Sequence, residues 1–148
     1  MANPLVMELD AAQSFLAAPR IGMLAVARSA GPPIASPIWY SYEPGGEVLF
    51  SIGRDSAKAK ALRAARVASL CAQSEQLPYA FVTVDGRVVV EDTAADEELR
   101  TRIAIRYLGD ELGAAYIEST KGGDNVLARL TPEHWRSNDY SRTSPSSG

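Results

Sequence analysis

Hydrophobic and polar residues alternate in short runs along most of this chain, a pattern typical of β-strands and not of long helices. The runs that predict strands are residues 21–27, 34–42, 47–53, 67–73, 126–130 and 134–140. One further stretch, residues 79–91, contains Asp85-Gly86 between alternating apolar residues, which favours a hairpin. A single long strand kinked at Gly86 is the alternative for this stretch.

A second pattern, with apolar residues three or four positions apart, predicts a few short helices. The predicted helices are residues 5–18, 56–65, 94–108 and 111–119. Asp10 is the predicted cap of the first, and Pro19 ends it. In the third, Leu99, Ile103 and Tyr107 occupy i, i+4 and i+8 and predict one buried face.

Proline and glycine mark the interruptions between these elements. Pro37 lies inside the second strand and cannot donate a ladder hydrogen bond, which predicts a sheet edge or a bulge there. Residues 43–46 (EPGG) predict a tight turn. Many short strands with few helices favour a mainly β fold with helices, a barrel or sandwich, over a parallel α/β sheet.

Composition limits the classes of protein to which the chain can belong. Its 148 residues predict a single domain over residues 1–142, followed by a disordered polar tail over 143–148. The net charge of -3 argues against a nucleic-acid partner. The sequence has no apolar run long enough to predict a membrane span, so no membrane partner is expected. The N-terminus lacks a signal-peptide pattern, so a cytoplasmic location is expected. Cys71 lies in an apolar run and is predicted to be a buried structural thiol.

The side chains available for chemistry are few. The sequence contains neither a GxGxxG nor a GxxxxGK[ST] motif, and its one histidine, His134, lies far from Cys71. His134 alone is more often a surface or structural residue than a base, and a zinc site would have to rely on carboxylates. If the protein is an enzyme, a cofactor therefore carries the difficult step.

The start of the second predicted helix is the strongest local signal for a ligand. Ser56 is a good N-cap, and Lys58 and Lys60 follow in the first turn, where cations oppose the helix dipole. Free amides plus a lysine at a helix N-terminus make an anion site, so Ser56 and Lys58 are candidates for holding a phosphate. The alternative is an ordinary solvated lysine on a surface helix.

Two aromatic residues precede this helix start on the second strand. Side chains alternate along a strand, so only one of Trp39 and Tyr40 can face the core. The other faces solvent, a partner subunit or a ligand. No residue stands out as a catalytic proton donor, and the phenols of Tyr40 and Tyr79 are the nearest candidates.

Several segments in this order resemble the pyridoxamine 5′-phosphate oxidase-like superfamily, and in particular its flavin/deazaflavin oxidoreductase branch. The segments are GPPIASPIWY (31–40), EPGGEVLFSIG (43–53), SAKAKAL (56–62), RVASL (66–70), YAFVTVDG (79–86), RYLG (106–109), RLTP (129–132) and WRS (135–137). The resemblance covers about residues 10–141, and it depends on the order and spacing of these segments together.

The resemblance implies a split β-barrel that forms a homodimer, with two cofactor sites at the dimer interface. It implies that Ser36, Pro37, Ile38 and Trp39 line the cofactor ring through backbone contacts. Ser51 and Ile52 would lie near the ring or its ribityl chain. Ser56 and Lys58 would bind the phosphate, in agreement with the anion site inferred from the helix start. The activity implied is hydride transfer between the cofactor and a small organic substrate.

The sequence departs from the pyridoxamine phosphate oxidases proper at two points. Those enzymes place an arginine where this chain has Ala57, and they carry an Arg-x-His motif near the C-terminus that is missing here. The chain looks more like members that use the deazaflavin coenzyme F420, and FMN is the other cofactor the resemblance allows. The alternative function is an FMN- or haem-binding split-barrel protein, in which His134 would be the only histidine available to ligate haem.

Overall fold

The computed structural model describes residues 3–143, which form seven strands, four α-helices and one short 3-10 helix. The strands are β1 Gly22–Val26, β2 Ile34–Ile38, β3 Val48–Gly53, β4 Val67–Gln73, β5 Ala80–Ala94, β6 Asn125–Leu130 and β7 His134–Asp139. The helices are α1 Leu9–Ala17, α2 Ala57–Ala65, α3 Glu97–Leu108 and α4 Asp110–Ser119, and the 3-10 helix is Tyr140–Thr143. Outside residues 79–91, each predicted strand and helix is found, with bounds that shift by a few residues.

All strand pairs are antiparallel and belong to one curled sheet. Neighbouring strands follow the order β2-β1-β4-β5-β6-β3, and β7 also pairs with β5. The chain is thus mainly β with helices, and the split β-barrel implied by the resemblance is confirmed. Among the described residues, no helix is both long and apolar enough to cross a membrane.

Alternating residues of each strand build the barrel core. In β3 the side chains of Val48, Phe50 and Ile52 are buried, whereas those of Leu49 and Ser51 face outward. Burying a side chain the size of Phe50 stabilises the fold by about 1.5–3 kcal/mol. A smaller second cluster lies on the outer face of β3 and β6, where Leu99, Ile103 and Leu127 pack with Trp39, Leu49 and Tyr107. The α3–α4 pair is therefore held against the outside of the barrel.

Strand β5 is one long strand, so the predicted hairpin at Asp85-Gly86 is wrong and the alternative of a single strand is correct. Its first part pairs with β4 as far as Arg87, and its second part pairs with β6 from Val88 onward. At the junction the β6–β7 connection crosses over Gly86. A Cβ added there would lie 1.6 Å from the carbonyl oxygen of Thr131. The glycine is thus needed for this close backbone approach and not for a turn.

The first helix also differs from its prediction. Residues 3–8 are not helical, and hydrogen bonds tie them to β7: the Asp139 amide donates to the Leu5 carbonyl (2.8 Å) and the Met7 amide to Ser137 Oγ (3.0 Å). Asp10 lies in the first turn of α1, where it forms no cap, so its predicted role as the N-cap is wrong. Local propensity favoured a longer helix, and the pairing with β7 overrides it.

Two proline and glycine predictions are confirmed. β2 is an edge strand that keeps an unbroken register with β1 through Pro37, so the edge interpretation is correct and no bulge is present. The turn at residues 43–46 is closed by the Gly46 amide on the Glu43 carbonyl (2.8 Å), and Gly45 supplies a φ of 87°. A positive φ of this kind costs glycine little.

Cys71 is only half-buried, so its predicted burial is wrong. It lies on β4 between Leu70 and Ala72, which both face the core, and alternation turns its side chain to the outer face. The apolar run around it comes from the alternate, inward-facing positions. The predicted single domain over 1–142 stays a prediction. Of the predicted disordered tail, Thr143 ends the 3-10 helix and residues 144–148 lie outside the described residues.

Asp85 links three strands on the outer face of the sheet. It accepts a hydrogen bond from Ser69 Oγ (2.6 Å) and forms a two-pronged ion pair with Arg136, whose Nη2 lies 3.0 Å from Asp85 Oδ1. Partial burial raises the pKa of Asp85, but the hydrogen bonds from Ser69 and Arg136 and the nearby positive charges outweigh it. The net pKa is lower than the ordinary 3.8.

This arrangement predicts a contribution to acid stability. Because the pKa of Asp85 is lower in the folded than in the unfolded chain, the contribution is present above about pH 4 and is lost as pH falls through the folded pKa. In urea unfolding followed by circular dichroism, Asp85→Asn should lose less stability than wild type between about pH 5 and pH 2. The control is Glu75→Gln, at an exposed loop position outside the helices, and equal acid slopes for wild type and Asp85→Asn would contradict the prediction.

Candidate functional site

A cleft of about 660 Å³ opens between the outer face of the barrel and the α3–α4 pair. This volume falls within the roughly 300–1,000 Å³ usual for small-molecule and cofactor sites. Four parts of the chain line it: the residue before β1, the end of β2 with β3, the start of α2, and the helical pair with the start of β6. The lining residues are Ile21, Pro37, Ile38, Trp39, Ser51, Lys58, Arg100, Ile103, Tyr116, Ile117, Thr120 and Asn125.

The strand wall includes four of the residues predicted to lie near a cofactor ring. Pro37, Ile38, Trp39 and Ser51 all line the cleft. Ile52 does not, because it follows the outward-facing Ser51 in β3 and its side chain is buried in the barrel core, 2% exposed. Only its backbone is left for the predicted contact. Ser36 also lies outside the set of lining residues, and its hydroxyl contacts the Pro37 carbonyl at 3.5 Å.

The start of α2 places Lys58 at the cleft. Ser56 is the N-cap, as predicted: its Oγ accepts from the Ala59 amide (3.1 Å) and donates to the Gly53 carbonyl (2.8 Å). The Ser56 hydroxyl is thus occupied in orienting the helix. Within residues 3–143, Lys58 forms no ion pair and the amides of Ala57 and Lys58 have no hydrogen-bond partner. The half-buried lysine therefore offers an uncompensated charge beside two free amides.

Arg54 fixes the corner from which Lys58 projects. Its Nε donates to Asp124 Oδ1 (2.9 Å), its amide to the Asp124 carbonyl (3.0 Å), and its Nη1 to the Asp92 carbonyl (2.6 Å). These bonds tie the β3–α2 connection to the segments at the end of β5 and before β6. The charge of Arg54 is neutralised by Asp124, so it supports the corner and Lys58 supplies the free cation.

Trp39 and Tyr40 face opposite ways, as strand alternation requires. Tyr40 is fully buried, and Trp39 faces the cleft. The indole of Trp39 stacks on Tyr107, with ring centroids 5.4 Å apart and an interplanar angle of 8°, and it meets Tyr116 at 5.2 Å and 57°. The indole is therefore held rigidly by packing while its free edge borders the cleft.

Neither phenol considered as a proton donor lies in the cleft. The hydroxyl of Tyr40 donates to the Leu16 carbonyl (2.7 Å), and burial raises its pKa above the ordinary value. Tyr79 lies in a separate groove with Gln73 and Glu75. His134 is exposed at the start of β7 and also lies outside the cleft, so it cannot ligate a haem bound there.

The helical wall contributes functional groups that the sequence did not indicate. Arg100 on α3 donates through Nη2 to Thr120 Oγ1 (2.9 Å) at the end of α4, and both residues line the cleft with Tyr116 and Asn125. None of these residues belongs to a recognisable motif. Arg100 lies beside the buried positions Leu99 and Ile103 of α3. This place at the border of an apolar stripe is the only sequence feature that could have indicated its role in the cleft.

The charge of the cleft is positive although the whole chain carries a net charge of -3. The lining residues include the cations Lys58 and Arg100 and no aspartate or glutamate. Within the described part of the chain, Arg100 also has no carboxylate partner. Since long-range attraction is strongest in a cleft lined by one sign of charge, the site suits an anionic ligand with a planar or apolar part.

Comparison with known proteins gives a consistent result. The model of the family described as pyridoxamine 5′-phosphate oxidase matches residues 9–139 of this chain. The search of curated proteins found no significant sequence match to this chain.

Solved structures share the fold at low identity. A conserved hypothetical protein from Mycobacterium tuberculosis superposes with a TM-score of 0.76 at 21% identity, covering 100% of this chain and 94% of the other. A protein described as an F420 reductase gives 0.65 at 22% identity, covering 84% and 94%. A FAD-binding protein from Mesorhizobium loti gives 0.63 at 20% identity, covering 89% and 93%. At these identities the similarity establishes the shared fold alone.

Proposed function

Since the chain belongs to the pyridoxamine 5′-phosphate oxidase family, we propose that it is a flavin- or deazaflavin-dependent oxidoreductase, binding coenzyme F420 or FMN in the cleft. The reaction proposed is hydride transfer between this cofactor and a small organic substrate. Similarity in fold to an F420 reductase and to a FAD-binding protein supports this class of cofactor.

The observation that carries the proposal is the unpaired Lys58 at the start of α2, on the wall of a cofactor-sized cleft. Both candidate cofactors combine a planar ring with a phosphate. The lysine and the free amides of Ala57 and Lys58 suit the phosphate, because charge-assisted hydrogen bonds are stronger than neutral ones. The strand wall with Pro37 and Trp39 suits the ring. The residues present therefore fit a phosphate-bearing flavin or deazaflavin.

In this proposal the protein binds and orients, and the cofactor supplies the redox chemistry. When bound, a flavin or deazaflavin accepts or releases a hydride at its ring. Lys58 holds the phosphate, and the Arg54–Asp124 pair keeps the corner from moving. Trp39, fixed between Tyr107 and Tyr116, forms an apolar border that limits water beside the ring. Ser51, through its hydroxyl, is available to the ribityl chain.

The predicted homodimer, with the cofactor at its interface, is part of this proposal. Ile21 lines the cleft and is 44% exposed, and the neighbouring Met23 is also 44% exposed on the outer face of β1. Exposed apolar residues that continue from a cleft onto a sheet face are typical of a surface covered by a partner. A second subunit there would close the cleft on the side that the α3–α4 pair leaves open.

Titration of the purified protein with FMN and with F420 tests the proposed function. We expect one of them to bind with a dissociation constant of about 10 μM or lower, detected by the change in cofactor fluorescence. The bound cofactor, first reduced chemically, should then be oxidised faster on the protein than in buffer when a panel of small organic hydride acceptors is added. Riboflavin, which lacks the phosphate, should bind more weakly than FMN.

The same titration separates the outcomes. Binding of FMN alone or of F420 alone decides which cofactor the protein uses. No binding of either at about 1 mM would refute the proposed function. A Soret band on addition of haem, with neither flavin nor deazaflavin bound, would favour the alternative of a haem-binding barrel.

A further inference from the structure

The two cations of the cleft lie on different elements. Lys58 projects from the start of α2, whereas Arg100 comes from α3 and is tied to the end of α4 through Thr120. A cofactor phosphate held at Lys58 leaves the charge of Arg100 uncompensated. Arg100 is only partly exposed, and a guanidinium in such a position is more favourable when an anion pairs with it.

We propose that Arg100, positioned by Thr120, makes the helical wall a second anion subsite, and that this subsite takes an organic carboxylate. The inference rests on the proposed function, since it assigns the phosphate to Lys58. The guanidinium has five N–H donors in a planar fork, and one contact to Thr120 leaves the others for a two-pronged carboxylate contact.

The surroundings of Arg100 favour a carboxylate attached to an apolar body. Ile103, Ile117 and Tyr116 line the same wall, and they offer apolar and aromatic surface beside the charge. Such a carboxylate can come from two sources. It belongs either to the substrate that exchanges a hydride with the cofactor, or to the glutamate tail of F420, which FMN lacks.

A structural role for Arg100 makes a different prediction. Thr120 follows the last residue of α4, and a cation near a helix C-terminus stabilises the helix dipole. If Arg100 acted only in this way, its replacement would lower the melting temperature without changing the binding of carboxylates. Affinity for matched charged and neutral ligands is therefore the deciding readout.

The test uses Arg100→Gln, which removes the charge but keeps a donor for Thr120. Arg102→Gln is the matched control, because Arg102 is exposed on the same helix and does not line the cleft. The probes are FMN, F420, benzoate and its neutral counterpart benzamide, titrated by calorimetry. Benzoate and benzamide are titrated into both the cofactor-free and the cofactor-loaded protein, and melting temperatures are recorded for each variant.

Loss of the charged contact should weaken benzoate or F420 about tenfold in Arg100→Gln, with benzamide and FMN changed by less than about twofold. If benzoate binding weakens, the subsite at Arg100 takes the carboxylate of a substrate. If F420 binding weakens and benzoate binding does not change, the subsite takes the glutamate tail of the cofactor. The proposal is overturned if neither weakens more than in Arg102→Gln, or if FMN weakens as much as F420. If wild type binds neither cofactor but loses benzoate on Arg100→Gln, the proposed function fails and the subsite stands.

Discussion

Replacing Gly86 with alanine is expected to destabilise the fold by about 4 kcal/mol or more, a large part of the roughly 5–15 kcal/mol typical of a domain. The new Cβ would overlap the Thr131 carbonyl oxygen at 1.6 Å, and that oxygen belongs to backbone that cannot rotate away. The β6–β7 connection would have to lift off β5. It would then lose the bonds from the Thr131 amide to the Arg87 carbonyl and from the Glu133 amide to the Asp85 carbonyl, both 2.9 Å.

Urea unfolding followed by circular dichroism measures this loss, and expression in soluble form is the first readout if the variant fails to fold. Gly53→Ala is the matched control, since a Cβ there meets only Ser56 Cβ at an ordinary 3.6 Å in the same kind of strand backbone. It should cost less than about 1 kcal/mol. A Gly86→Ala variant as stable as Gly53→Ala would mean that the β6–β7 connection does not cross β5 at this point.

Replacing Lys58 with alanine is expected to weaken binding of the proposed phosphate-bearing cofactor by about 10- to 100-fold, because a hydrogen bond between charged groups usually contributes about 1.5–3 kcal/mol. The side chain has no ion-pair partner in the described part of the chain, so its removal leaves no buried charge behind. The free energy of unfolding should change by less than about 0.5 kcal/mol, since the residue is a partly exposed helix position. Fluorescence titration measures the affinity.

Lys60→Ala provides the matched control for this effect. Lys60 is exposed on the same helix and does not line the cleft, so its removal should change cofactor affinity by less than about twofold. Riboflavin tests whether Lys58 contacts the phosphate. Because riboflavin has no phosphate, Lys58→Ala should leave the affinity for riboflavin unchanged. If FMN and riboflavin weakened equally, the lysine would be acting on the ring, and the phosphate site would lie elsewhere.

Much of the fold could be predicted because it depends on local patterns. The alternation in Val48, Phe50 and Ile52 identifies β3 as a strand, and Ser56 followed by a helix-favouring run identifies the start of α2. Gly109 between the third and fourth helices has a φ of 85°, which a residue with a side chain adopts only at a cost. Each of these features concerns residues within a few positions of one another.

The predictions that were wrong concern contacts between distant segments. Local rules favour a hairpin turn at Asp85-Gly86 over a single strand, and only the crossing of Thr131 shows why glycine stands there inside a strand. The non-helical segment before Leu9 is held by hydrogen bonds to β7, about 130 residues further along the chain. Cys71 is the exception, because the apolar run around it predicts burial whereas alternation along β4, itself a local pattern, turns its side chain outward.

The candidate site likewise contains some features that follow from local sequence and others that depend on contacts between distant segments. The candidate anion site at Ser56 and Lys58 follows from local sequence, since a cap and a lysine in one helical turn are neighbours whatever the rest of the chain does. Strand alternation also requires that one of Trp39 and Tyr40 faces outward. The packing of distant segments, in contrast, sets which of the two faces outward, buries Ile52 and brings Arg100, Tyr116 and Thr120 together as the opposite wall. Those residues reach the cleft through the packing of α3 and α4 on the outside of β3 and β6, and such packing depends on the shapes of surfaces far apart in sequence, which no local spacing encodes.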